Sequence, residues 1–449
     1  MRTIAETVGI SKDRVGHLLH EILGMRKLSA RWVPRLLTPD NKRNHFRAVA
    51  KLVELDYELL PHPPYSPDMA QYVNSEMGYK LVLRRLQFSI RMSQLLWLLP
   101  LLLLQLSWPT GAQLANPVLK FQMNLLQEQL ATLCRTIINR TGDQSKVLPE
   151  MARMSFVLQL DACSNVSVPL NRADELFTTS GFSLNRKTVI FITGWGTTID
   201  RSNSGPVAKA FACRNDTNFI ILDAAHFIRT FYSWAVLNTD TIGRYVAKAL
   251  IKLDSNYVTK NVHLIGHSLG AQIAGSAARY YKQLSGLQLS RVTGLDPANP
   301  CFYDGKELPG TRSGDAKYVD IIISNPGLAG TSDEAGDANF FVEGLQPIKK
   351  GCTGLDAIGC SHQRAVDYFT ESVYPNNTQN FRGNYCAAYA SLWTGRACSN
   401  VRTAIMGYAA SRSGLFYVEV NQEEPFGKEA NLDTFTPTNS ACGACNPNL

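Results

Sequence analysis

Val262-His-Leu-Ile-Gly266-His267-Ser268-Leu269-Gly270, followed by the small-residue stretch Ala271 to Arg279, decides the reading of this chain. An apolar run leads into Gly-x-Ser-x-Gly, and a helix-forming stretch leaves it. That order predicts strand, sharp turn and helix, with a serine on the turn. The two glycines suit a crowded reversal, because a side chain at Gly266 or Gly270 would collide as strand gives way to helix. The serine hydroxyl is then held at the sheet edge, beside the positive end of the helix dipole. Such a serine acts as a nucleophile only with a base and an orienting acid.

Elimination points to the base. Of eight histidines, His17, His20, His45 and His62 lie in an N-terminal segment of different character. His263 falls inside the strand, His267 adjoins the serine too closely to face it, and His226 precedes it. His362 remains, in Gly359-Cys-Ser-His362-Gln-Arg-Ala, where the competing reading is an ordinary residue near a helix start. The acid should end a strand between serine and histidine. Arg291-Val-Thr-Gly-Leu-Asp296-Pro fits, since proline stops the strand and fixes the turn. Asp320 competes, but it sits within a strand-like run, where a carboxylate more often meets a structural partner.

The segments GHSLG, TGLDPANPCF and GCSHQRAVDYFTES together resemble the pancreatic-lipase family, in particular its secreted insect members, from about Ala115 onward. The resemblance implies an α/β-hydrolase fold with a mostly parallel, doubly wound sheet over residues 113–449. It implies a catalytic triad of Ser268, Asp296 and His362. It also implies an oxyanion hole formed by the backbone N–H groups of Trp195 and Leu269. Trp195 lies in Val189-Ile-Phe-Ile-Thr-Gly-Trp-Gly196, where Thr193 replaces the family's usual histidine. The implied reaction is hydrolysis of lipid carboxylic esters through an acyl-enzyme, with no cofactor.

Other features narrow this expectation. In the family, the cysteines matching Cys352 and Cys360 staple the lid. Here they bracket only Thr-Gly-Leu-Asp-Ala-Ile-Gly, a loop of the reduced kind found in phospholipase A1 members. The stretch after His362 is too short for the family's C-terminal β-sandwich, so none is expected. Some members bind calcium after the catalytic acid. Glu307 and Asp315 stand there in this chain, but Arg312 takes a carboxylate's place and opposes a divalent ion, so no metal is expected. The family also includes catalytically quiet yolk or lipid-carrier proteins, which tend to lose the serine retained here.

Ten cysteines, all from Cys134 onward, suggest a disulfide framework in an oxidising compartment. Cys352–Cys360 and Cys386–Cys398 are the expected local pairs, and Cys213–Cys301 is a further candidate. Cys442 and Cys445 have redox or zinc spacing without a second half-site, which favours a structural role. Sequons at Asn139, Asn165, Asn215 and Asn376 fit secretion. Met92 to Ala112 has a short apolar core after Arg84, Arg85 and Arg91. It reads as a signal peptide at 92–112, because its core of about twelve residues falls short of the ~20 needed to span a bilayer. No transmembrane segment is expected, and the expected partner is lipid at a micelle or membrane surface.

Residues 1–91 differ. They hold 15 Lys or Arg against 9 Asp or Glu, so most of the chain's net charge of +8 lies there. Thr3 to Leu19 resembles a helix-turn-helix, with Gly9 at the turn. Glu58-Leu-Leu-Pro-His-Pro-Pro-Tyr-Ser-Pro-Asp68 resembles mariner-type transposases. Such enzymes need three metal-binding carboxylates, and Asp68 lies upstream of the last of them without replacing it. The segment therefore reads as a non-native transposon remnant, with no nucleic-acid role for the mature domain. No internal repeat or coiled coil is apparent.

Overall fold

A computed structural model describes residues 148–445 apart from 162, 198–203, 231 and 304–307, together with the backbone of two short N-terminal strands. Those strands, β1 (Met25–Leu28) and β2 (Arg31–Pro34), pair antiparallel. The chain divides into two compact units, Met1–Gly111 and Ala112–Leu449. The helix-turn-helix, transposase-like and signal-peptide readings fall outside the described residues.

Among the described residues, the larger unit is built on one eleven-stranded sheet. Its core runs β6 (Thr217–Asp223), β5 (Lys187–Ile192), β7 (Val262–His267), β8 (Arg291–Leu295), β9 (Val319–Ile323), β10 (Ala338–Val342) and β13 (Gly414–Val418). These seven strands are parallel throughout. Antiparallel strands flank them: β3 (Ser155–Gln159) and β4 (Asn165–Pro169) at one edge, β11 (Arg382–Tyr385) and β12 (Ser399–Ile405) at the other. This is the doubly wound α/β-hydrolase architecture.

The strand sequences explain the layering. In β5 all residues after Lys187 are buried, as expected of a parallel strand covered on both faces. Ile190 and Ile192 join one core with helices α3 (Tyr232–Ile251) and α5 (Leu269–Ser285), through Ile242, Val246, Ile273 and Ala277. Val189 and Phe191 point the other way. They meet α1 (Ser204–Arg214) and α6 (Ala357–Val373) through Val207, Phe211, Val366 and Phe369. Between them lie the short helices α2 (Ala225–Ile228) and α4 (Ser255–Asn261), the latter capped by Asp254, whose side chain accepts the Tyr257 N–H. Among the described residues, no helix is long and apolar enough to cross a membrane.

Disulfides tie loops to this frame. Cys352 is bonded to Cys360 and Cys386 to Cys398. The expected Cys213–Cys301 bridge is not formed. Cys213 is bonded to Cys442, and Cys163 to Cys445; Cys301 is also disulfide-bonded. The correction has a plain cause. The C-terminal segment folds back along α1, where Lys209 Nζ donates to the Thr438 carbonyl at 2.7 Å. That return brings Cα atoms 229 residues apart to 5.1 Å. Of the sequons, Asn165, Asn215 and Asn376 are exposed, and Asn139 lies outside the described residues.

Candidate active site

Ser268 sits between the end of β7 and the first residue of α5, with φ 56° and ψ −122°. A side chain held in the left-handed region signals stored strain at a turn that the surroundings over-determine. Those surroundings are crowded. A Cβ at Gly266 would stand 2.2 Å from the Gly270 carbonyl oxygen, and one at Gly270 would stand 2.1 Å from that of Ile192. Both glycines are therefore required by close approach. Leu269, as the first residue of α5, has an N–H with no intrahelical acceptor.

Asp296 follows directly on β8, itself at φ 43° and fully buried. Its backbone N–H donates to the Ile322 carbonyl at 2.7 Å. One carboxylate oxygen, Oδ1, accepts the backbone N–H groups of Ser324 at 2.7 Å and Asn325 at 2.9 Å. The other, Oδ2, lies 2.6 Å from His362 Nδ1. A neutral imidazole must then carry its proton on Nδ1, which leaves Nε2 as the free base.

His362 lies in the second turn of α6, two residues beyond Cys360. The bracketed segment is a short 3-10 turn, Gly354–Asp356, that runs straight into the helix. The ring of His267 packs 4.6 Å from that of His362 between centroids, and its Nε2–H donates to the His362 carbonyl at 3.2 Å. Burial, then the neighbouring His362, hold the His267 pKa well below its usual value, so this ring is a neutral strut. Ser268 is tied to the acid's strand as well: its N–H donates to the Leu295 carbonyl at 3.0 Å, and its carbonyl accepts the Ala298 N–H at 3.2 Å.

The loop after β5 reaches the same place. A Cβ at Gly194 would come within 2.9 Å of Ser268 Cβ and 3.2 Å of the His267 carbonyl oxygen. Trp195 is next, 48% exposed. Its indole N–H donates to the Thr230 carbonyl at 2.7 Å, and its ring meets Tyr232 edge-on. Thr193 is buried.

The other candidates are placed elsewhere. Asp320 is fully buried in β9 and bound by both Nε and Nη2 of Arg291, at 2.7 and 2.8 Å. His263 in β7 pairs with the Thr293 hydroxyl at 2.8 Å. His226 is exposed in α2.

A family model described as Lipase matches residues 127–426. The chain belongs to the lipase family. Within the lipase family it is 35% identical over 251 residues to pancreatic lipase-related protein 2 of Cavia porcellus, covering 54% of this chain and 56% of that protein. It is 35% identical over 247 residues to pancreatic triacylglycerol lipase of Homo sapiens, covering 49% and 50%. It is also 31% identical over 217 residues to vitellogenin-1 of Ceratitis capitata, covering 47% and 48%. The chain thus spans about half the length of the curated relatives it matches. Among solved structures, a hyperthermophilic esterase from Pyrobaculum calidifontis overlaps with a TM-score of 0.23 at 11% identity, over 50% of this chain and 78% of that one; so slight an overlap carries no argument.

Four residues around the candidate site carry no signal in the sequence. The amides of Ser324 and Asn325 leave no trace in side-chain identity. His267, too near the serine in sequence to face it, instead braces the histidine that faces Asp296. Lys349 is 1% exposed. Its backbone N–H donates to Ser361 Oγ at 2.9 Å and its Nζ to the Gln346 carbonyl. Burial pushes its pKa down to about 7, opposed by the Asp296 and Glu343 carboxylates. Nothing in Gln346-Pro-Ile-Lys349-Lys350 marks which of the two adjacent lysines is buried.

Proposed function

We propose that this chain is a secreted serine hydrolase that cleaves carboxylic esters of lipids through Ser268, Asp296 and His362, as a phospholipase A1-like enzyme or a general lipase, with the short loop before His362 favouring the first. The observation that carries the reading is the 2.6 Å Asp296–His362 pair beside a serine in a left-handed elbow. Neutral His362 takes the Ser268 proton as the oxygen attacks the ester carbonyl. Asp296 fixes the imidazole tautomer and stabilises the imidazolium. The Trp195 and Leu269 N–H groups receive the oxyanion, each worth about 3–4 kcal/mol in such sites. The alcohol or lysolipid leaves with the proton from His362. Water, deprotonated by the same histidine, then releases the fatty acid.

The substrate argument rests on what covers the site. The disulfide-closed turn at 353–359 has no length to bury a large apolar face, which favours an open site that admits phospholipid headgroups. Trp195, exposed beside the serine, offers an aromatic surface to lipid. A lipid-carrier role, suggested by the vitellogenin relative, is disfavoured by retention of all three residues. Four disulfides among the described residues and three exposed sequons support a secretory route. The test is hydrolysis of phosphatidylcholine and of triglyceride by the purified chain, with Ser268→Ala as control. Equal activity in that variant overturns the mechanism, and faster triglyceride turnover overturns the substrate preference.

A further inference from the structure

Behind the elbow lies a loop whose oxygens converge on one point, and that point is already filled. Arg279 stands on α5, three turns beyond Ser268. Its Nη1 donates to the Gly310 carbonyl at 3.1 Å and to Asp315 Oδ2 at 2.6 Å, and its Nη2 donates to the Pro309 carbonyl at 3.1 Å. Asp315 is 3% exposed and Arg279 18%. Two carbonyls and a buried carboxylate within one short loop are the oxygen donors a hard divalent cation takes. Here they do not fit such an ion. A guanidinium fork spends them, Asp315 Oδ2 also accepts the Arg312 N–H at 2.9 Å, and Arg312 brings a second positive charge to the loop. Glu307 lies outside the described residues.

The loop matters to the site because of what it holds. Thr311 Oγ1 donates to the Ala271 carbonyl at 2.6 Å, and the Thr311 N–H donates to Gln272 Oε1 at 2.8 Å. Gln272 in turn donates to the Ala298 carbonyl at 2.7 Å, and the Ala298 N–H donates to the carbonyl of Ser268. The helix accepts this loop only because residue 275 is glycine: a Cβ there would lie 2.2 Å from Thr311 Oγ1 and 2.9 Å from Asp315 Oδ2. The loop thus braces both the first turn of α5 and the chain that follows Asp296.

We propose that Arg279 is a built-in cation, its guanidinium holding the 309–315 loop where a divalent metal would otherwise be needed, so that this chain requires no calcium for stability or turnover. Arg279 is a positioning residue, acting through the loop and α5. The charge is covalently attached and always present, and the buried Asp315 carboxylate has its partner without an ion from solution.

The experiment compares full-length wild type, Arg279→Ala and Arg279→Lys by thermal melting in EDTA and in CaCl2, with calcium titration calorimetry on the wild type. The expected wild-type result is one melting temperature in both buffers and no calcium binding heat. Arg279→Ala should melt at least about 5 °C lower, as for a broken buried ion pair. Millimolar methylguanidinium should restore part of that loss in the alanine variant and leave the wild type unchanged. Arg279→Lys, with charge but no fork, should fall between. Destabilisation of the wild type by EDTA, stoichiometric calcium binding, or an unshifted Arg279→Ala overturns the proposal. If the alanine variant does not fold, the wild-type and lysine arms still decide it. None of these readouts requires hydrolytic activity, so they stand apart from the hydrolase reading; the turnover clause alone rests on it and is checked by assay in EDTA.

Discussion

His362 Nδ1 and Asp296 Oδ2 meet at 2.6 Å across 66 residues of sequence, with the carboxylate fully buried and its second oxygen saturated by two backbone amides. Asp296→Asn keeps the shape but sets the wrong tautomer on His362. Its turnover number should fall about 10⁴-fold. Near-unchanged circular dichroism would show that the loss is chemical. A loss under tenfold would remove Asp296 from the role of orienting acid.

Asp320 provides the contrast. Its carboxylate binds Arg291 at two points and accepts the Thr293 hydroxyl at 2.8 Å. Arg291 also donates to the carbonyls of Gly407 and Tyr408, at 2.8 and 2.7 Å. Asp320→Asn removes the carboxylate counter-charge of a largely buried guanidinium and leaves it two carbonyls, at a cost of about 3–5 kcal/mol. Urea unfolding should show that loss, while the turnover number of the protein still folded stays within a few-fold of wild type. The reverse pattern, a stable but inactive Asp320→Asn, would exchange the roles of the two aspartates.

Gly194→Ala tests the loop after β5. The new methyl group would stand 2.9 Å from Ser268 Cβ, so either the loop or the serine must move. On the proposed mechanism, displacing the Trp195 N–H by that much should cost about 10²-fold or more in turnover with little change in KM. Parallel kinetics on a short-chain ester would show it. Wild-type turnover would mean that the Trp195 N–H is not an oxyanion donor.

These contrasts show which parts of the site a sequence can carry. The elbow was legible because its cause is local: Gly266 and Gly270 are needed within five residues of each other. Asp296 was legible because a proline ends its strand at once. The alternation of Val189, Ile190, Phe191 and Ile192 carried little, since a strand covered on both faces is apolar at every position. What stayed hidden is non-local. The Cys213 partner is 229 residues away, and Arg279 looks like any helix arginine until a loop 30 to 36 residues later folds onto it. Lys349 was invisible for the opposite reason: charge is ordinarily solvated, and nothing in Gln-Pro-Ile-Lys-Lys says which lysine is buried.

Lys349 yields a prediction with a definite sign. Its folded pKa is pushed down to about 7 from an ordinary 10.5. Between those values the unfolded chain binds a proton that the folded chain has released, so stability must rise with pH across the window. Below about pH 7 the lysine is charged in both states, and the burial penalty is present in full. Above about pH 10.5 it is neutral in both, and the penalty is gone. The total change is roughly 5 kcal/mol at about 1.36 kcal/mol per unit. Lys349→Met removes the titration. Urea midpoints for both proteins from pH 6 to pH 9 should show the wild type gaining on the variant steadily above pH 7. Parallel curves would mean that the Nζ–Gln346 contact and the nearby carboxylates keep this lysine charged throughout, and the buried amine would then be a permanent counter-charge near Asp296.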